Sequence, residues 1–162
     1  VIEMAGSHRV VIALGSNLGD SSTILGEAIE ELGDFIGNSK ISSYYRTIPV
    51  GGPPQCDYLN AVVVGVTEIG PETLLSKVQE IELAHGRVRS EHWGPRTLDI
   101  DLIDYDGSTI ESDRLTLPHP RAHVRAFVLA PWFEVDPEAV LPGHGSIAVL
   151  LKKLGVLGVR RV

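Results

Sequence analysis

GPRTLDIDLI, residues 94–103, decides the fold. Its apolar second half reads as a strand, the last of four that are interleaved with two helices. Strand side chains alternate faces, so Leu98, Ile100 and Leu102 share one side while Asp99 and Asp101 share the other. A rise of about 3.3 Å per residue sets the two aspartate Cα atoms about 6.6 Å apart. Carboxylates that close repel unless water or a cation separates them. Either this strand shows one solvated face, or the pair holds a cation.

Upstream, RVVIAL (9–14) is a short apolar run ended by Gly15 and reads as a buried strand. Gly19-Asp20-Ser21-Ser22 supplies cap residues, after which Ile24, Leu25, Ala28, Ile29, Leu32 and Ile36 recur at helical spacing. A second strand is expected over 41–47, then a Pro- and Gly-dense loop, IPVGGPPQCD (48–57), and a third strand, YLNAVVVGVT (58–67). Pro71 opens a second helix, with Leu74, Leu75, Val78 and Ile81 on one stripe and Gly86 closing it. The order βαββαβ is the split arrangement of ferredoxin-like domains, an α+β fold with both helices on one face of an antiparallel sheet. Helical stretches near 126–133 and 146–154 predict a C-terminal helical extension. With no repeat or linker, residues 1–162 are expected to form a single domain, 1–8 being a flexible or tag-like lead.

The 162 residues, 43% hydrophobic and 22% charged, suit an ordinary globular protein. The lone Cys56 excludes an internal disulfide framework and points to the cytoplasm. No apolar run approaches the roughly 18 residues of a membrane span, so no membrane partner is expected. A net charge of −7 argues against a nucleic-acid partner. Yet Arg87, Arg89, Arg96, Arg114, Arg121 and Arg125 fall in one window that contains no lysine. Arginine offers a planar fork that fits phosphate and carboxylate, where lysine offers a point charge. Beside an aspartate pair, such a cluster points to a small polyanion held with a metal.

WGP followed by RTLDIDLI, then LPHPR and RAFVLAP downstream, with GSNLGD near the start and YLNAV in the middle, together resemble the 6-hydroxymethyl-7,8-dihydropterin pyrophosphokinases. The resemblance spans about residues 9–142, in order. It implies transfer of a pyrophosphoryl group from ATP to a pterin alcohol in folate biosynthesis, with two Mg²⁺ ions held by Asp99 and Asp101. Mg²⁺ takes carboxylate and phosphate oxygens and keeps several waters, so two aspartates suffice. By position Arg87 and Arg96 match catalytic-loop arginines, and His119 and Arg125 match triphosphate-binding residues. Gln79 and Glu82 match residues near the nucleotide. Tyr58 and Phe127 match the two rings that sandwich the pterin. Asn60, on the face of Tyr58, has a donor and an acceptor for the pterin's polar edge. Asn17 and the backbone of Thr47, Ile48 and Val50 complete the pterin side, and Trp93 would cover it.

GGPPQ (51–55) and the segment 85–95 are expected to act as lids that exclude water. The chain departs from some members of the family at three places. Pro120 stands where others have a tyrosine, the segment 89–93 is one residue shorter, and Ile48 replaces a proline. His119 and His123 form an H-x₃-H pair, but Pro120 opposes the helix a zinc pair would need. Gly15-Ser16-Asn17 lacks the Lys-Ser/Thr ending of a P-loop, and Gly15 reads as the turn after a strand. A monomer is expected. An Mg²⁺-dependent nucleotidyltransferase and a non-enzymatic nucleotide-binding module are the alternatives.

Overall fold

The computed structural model describes residues 6–17, 20–48, 57–86, 98–155 and 158–162. Its elements in chain order are β1 (His8–Ser16), α1 (Ser21–Leu32), β2 (Gly37–Ile41), β3 (Tyr45–Thr47), β4 (Tyr58–Thr67), α2 (Pro71–Ala84) and β5 (Asp99–Tyr105). There follow a hairpin of β6 (Ile110–Glu111) and β7 (Thr116–Leu117), a 3₁₀ turn (Ala122–Val124) and α3 (Ala126–Val135). A second hairpin, β8 (Val140–Leu141) and β9 (Gly145–Ser146), leads to α4 (Ile147–Leu154), which β10 (Val159–Arg161) follows. The main sheet runs β10-β3-β4-β1-β5, with β2 also on β4, and every pairing is antiparallel. Each β–α–β passage, β1–α1–β3 and β4–α2–β5, skips one strand. The class is the expected α+β.

Local chemistry sets the helix ends. Asp20 caps α1 by accepting from the Thr23 N–H at 3.3 Å and from its hydroxyl at 2.9 Å. Pro71 occupies the first turn of α2, where its missing N–H costs nothing. Gly86, at φ +78°, carries the chain out of α2 in the left-handed region. α1 stops four residues before Ile36, which stays buried through a turn rather than a helix.

Two cores flank the sheet. Val10, Ile12 and Leu14 of β1 meet Leu25, Ala28 and Leu32 of α1 and Leu74, Val78 and Ile81 of α2, as the periodicity predicts. The opposite face is covered by α3 and α4 of the C-terminal helical extension. There Val11, Ala13, Val62, Val64 and Ile103 pack on Val128, Leu129, Trp132 and Ile147. Pairing slips at β5: Ile12 faces Leu102 but Val11 faces Asp104, which leaves Ile103 as a bulge. The bulge keeps both Ile103 and Tyr105 buried, each in its own core.

The expected second strand is broken in two. At the break Ser42 accepts from the Val62 N–H through its hydroxyl (2.9 Å), while the Ser43 N–H donates to Glu134 of α3 (3.0 Å). β2 itself, GNSKI, is exposed throughout, so no hydrophobic alternation marks it.

Candidate active site

Register assembles the site. Across three strands Asn60, Gly15 and Asp99 form one row, and Val62, Ala13 and Asp101 form the next. Val62 and Ala13 belong to the α3-side core, so Asp99 and Asp101 look onto that side, at the end where α3 begins. Gly15 lies inside β1 and not in a turn after it, contrary to the sequence reading. A Cβ there would stand 2.9 Å from Asn60 Nδ2 and 3.8 Å from Tyr58 Cδ1. Both side chains therefore rest over bare backbone, and Gly15 is the floor between them. Asn60 is buried, and its Oδ1 accepts from the Thr47 hydroxyl at 2.6 Å. Asn17 is buried just past the end of β1.

The opposite wall comes from the segment entering α3. Arg125 stands immediately before that helix, its Nη1 3.8 Å from Asp101 Oδ2 and its guanidinium 5.4 Å from the Phe127 ring centroid. Phe127 is half-buried against the α3-side core. The His119 N–H donates to the Ile103 carbonyl at 2.9 Å, which ties it to the aspartate strand. Its ring Nδ1 accepts from the Arg121 N–H at 3.1 Å, so in the neutral ring the proton sits on Nε2. Burial lowers the imidazole pKa, Asp101 pulls it back up, and Arg125 and Arg121 push it down again; the net direction is downward. Near neutral pH His119 is thus a neutral donor, and Arg125 supplies the positive charge.

Asp99 and Asp101 offer hard oxygen donors, and among the described residues no group of three or more His, Cys, Asp or Glu could enclose an ion. That donor set fits Mg²⁺, which is usually held by one or two carboxylates together with substrate phosphates. It does not fit zinc: Nδ1 of His119 is taken by Arg121, and His123 stacks on His144 at 3.9 Å between centroids.

The family model for 7,8-dihydro-6-hydroxymethylpterin-pyrophosphokinase (HPPK) matches residues 11–137. The chain belongs to the HPPK family. Three relatives named 2-amino-4-hydroxy-6-hydroxymethyldihydropteridine pyrophosphokinase agree. That of Methylorubrum extorquens is 42% identical over 95% of this chain and 98% of its own length. The Haemophilus influenzae protein is 41% identical over 88% and 90%, and the Mycobacterium leprae protein 47% identical over 85% and 76%. Among solved structures, an HPPK-DHPS in complex with substrates superposes with a TM-score of 0.76 at 14% identity over 95% of this chain. Plasmodium falciparum HPPK-DHPS with pterin and p-hydroxybenzoate gives 0.71 at 15% identity over 91%. The chain spans 46% and 42% of those two longer chains, and at such identity they speak for the fold alone.

Within this HPPK-family site, two residues expected at the nucleotide have structural partners. Glu82 is buried beneath β5, where its Oε2 accepts from the Ile100 N–H at 2.7 Å, between the two aspartates. It therefore positions the strand that carries them. Gln79 is exposed on α2, its Oε1 3.5 Å from Arg114 Nη2. Arg114 also reaches Glu72 at 3.2 Å and Ser76 at 3.1 Å, so one member of the arginine cluster is occupied in tying its loop to α2. Ile48 is exposed, and its backbone N–H donates to the Gly158 carbonyl at 3.3 Å. Arg87, Arg96, Trp93 and Val50 lie outside the described residues, as do 51–55 and most of 85–95. Gly15 escaped the sequence reading because its role exists only once three strands are in register. Glu82 carried a signal, a carboxylate on an apolar helix stripe, that spacing alone could not assign to a backbone partner.

Proposed function

We propose that the protein transfers the pyrophosphoryl group of ATP to the hydroxymethyl oxygen of 6-hydroxymethyl-7,8-dihydropterin and releases AMP, a step of folate biosynthesis. Membership of the HPPK family supports the reaction class. The observation that carries the residue roles is the convergence of Asp99, Asp101, Arg125 and His119 at the same end of the sheet as Asn60, Tyr58 and Phe127. Asp99, Asp101 and His119 sit on the β5 side, Tyr58 and Asn60 lie on β4, and Arg125 and Phe127 stand side by side at the start of α3, which suits a polyphosphate lying beside an aromatic bicycle.

In this reading the pterin stacks between Tyr58 and Phe127, and the Asn60 amide, fixed by Thr47, meets its polar edge. Asp99 and Asp101 would hold Mg²⁺, two ions being the expected number, which would supply neutralisation of the charge developing on the phosphates. Arg125 faces the same phosphates with a guanidinium fork, and His119 donates from Nε2. The pterin hydroxyl oxygen forms a bond to the β-phosphorus as the α–β bridging bond breaks. That electron pair leaves on the AMP phosphate, and the hydroxyl proton passes to solvent. Arg87 and Arg96 would add charge from the segment before β5, with Trp93 as its cover. We place the enzyme in the cytoplasm as a single-domain monomer. No helix among the described residues is long and apolar enough to cross a membrane.

The test is product identity. Protein, ATP, Mg²⁺ and the pterin alcohol are incubated and the nucleotides separated by chromatography. AMP formed only when the pterin is present is the expected result. Pterin-independent pyrophosphate would replace this reading with nucleotidyl transfer, and unconsumed ATP would replace it with a binding module.

A further inference from the structure

β3 has three residues, and a strand that short is a weak support for a substrate-binding side chain. Yet Thr47, at its end, must be held closely enough to donate to Asn60 at 2.6 Å. Its inner edge is secured by β4, with Thr47 facing Tyr58 and Tyr45 facing Asn60. Its outer edge is secured by the last residues of the chain. Val159, Arg160 and Arg161 pair with Thr47, Arg46 and Tyr45. The ladder extends one residue each way, through the Ile48 N–H to the Gly158 carbonyl (3.3 Å) and the Val162 N–H to the Tyr44 carbonyl (2.8 Å). Antiparallel alternation then places the Arg160 N–H against the Arg46 carbonyl.

A side-chain clamp reinforces the ladder. Glu134 of α3 accepts from the Ser43 N–H and hydroxyl and from the Tyr45 hydroxyl, and it pairs with Arg161 at 3.4 Å. One carboxylate thus joins α3, β3 and β10. All of β10 lies beyond residue 137, where the family match ends.

From this arrangement we infer that residues 158–162 are a positioning element for the pterin side: by pairing along β3 they fix Thr47 against Asn60 and so set affinity for the pterin alcohol. The inference rests on the proposed reaction. Its reach is restricted to one substrate, because β10 borders the row of Thr47, Tyr58 and Asn60 and lies at the opposite edge of the sheet from Asp99 and Asp101.

Arg160→Pro removes the middle N–H of the ladder, and Arg160→Ala leaves the backbone intact. Steady-state assays of AMP formation with each substrate varied should give Arg160→Pro a pterin KM raised about five- to tenfold, the usual size of one lost hydrogen bond. Its kcat and ATP KM should stay within about twofold of wild type, and Arg160→Ala should match wild type throughout. Arg161→Glu is the gentler variant should the proline prevent folding. It sets a carboxylate against Glu134 and should raise the same KM by a smaller factor. Thr47→Val should reproduce the KM effect, and adding it to either strand variant should raise KM no further. An unchanged pterin KM in folded strand variants, even with a lowered Tm, would make β10 a stability element only and overturn the inference. A wild-type protein that forms no pterin-dependent AMP would instead overturn the reaction, and the inference with it.

Discussion

At His119 burial holds the imidazole below its ordinary pKa, Asp101 pulls it back up, and Arg125 and Arg121 press it down again. Neutralising the aspartate should therefore move the titration further from its ordinary value of about 6.5, and neutralising Arg125 should move it back. NMR titration of the metal-free protein reads both: Asp101→Asn should lower the His119 midpoint and Arg125→Ala should raise it. Shifts in the opposite senses would remove Asp101 and Arg125 from the surroundings of the ring. A base depressed in the folded state binds its proton more readily in the unfolded chain, so its stabilising share is complete above about pH 6.5 and is lost as pH falls toward the folded midpoint. Denaturant titrations between pH 7.5 and about pH 5 should thus lose less stability in His119→Gln than in wild type. Turnover should fall by about a hundredfold or more in Asp101→Asn if the aspartate holds the metal, with the fold retained.

β5 carries both core residues and the two aspartates proposed to hold the metal. One face buries Ile100, Leu102 and Tyr105 against α1 and α2, while the other presents Asp99 and Asp101. Among the described residues only β1 pairs with this strand, so its outer edge needs other partners. The Ile100 N–H finds Glu82, and the Ile103 carbonyl finds the His119 N–H. Glu82→Leu would leave the Ile100 donor buried and unmade, at a cost of about 1–3 kcal/mol. Because that N–H lies between the two aspartates, the same change should raise the Mg²⁺ concentration needed for half-maximal activity by several-fold. Glu82→Gln keeps an acceptor of nearly the same shape and should largely restore the Mg²⁺ midpoint. A Leu variant that loses stability but keeps the wild-type midpoint would make Glu82 a structural carboxylate with no influence on the metal site.

Across the whole molecule, what could be read from the sequence is what repeats locally. β1 and β4 carry near-continuous apolar runs and the first two helices carry apolar residues at helical spacing, so these four elements were legible, together with the stripe each helix buries. Asp99 and Asp101 stood out because they break such a pattern, and the motifs around them carried His119, Arg125 and Phe127 along. The break between β2 and β3 was hidden, because Ser42 and Glu134 make it through contacts far apart in sequence. β10 was hidden too, being three residues long with two arginines and needing β3 to exist. The floor role of Gly15 likewise had no local sign.

The site and the α3-side core share one helix, and this gives the last prediction its form. Arg125 and Phe127 stand at the start of α3, and Trp132, fully buried five residues beyond Phe127, anchors the helix on the sheet. Trp132→Ala opens a large cavity beneath that anchor and should cost about 3–5 kcal/mol. Chemical denaturation measures the loss. The damage should not spread evenly over the site. Asp99 and Asp101 are held by β1 and by Glu82, on the other side of the strand, so they keep their supports. Phe127 and Arg125 depend on where α3 sits. Below the unfolding transition, pterin KM should therefore rise while the Mg²⁺ midpoint stays near wild type, the reverse of the pattern expected for Glu82→Leu. If both variants moved both quantities together, the two walls of the site would be one cooperative unit, and this division of support between β5 and α3 would be wrong.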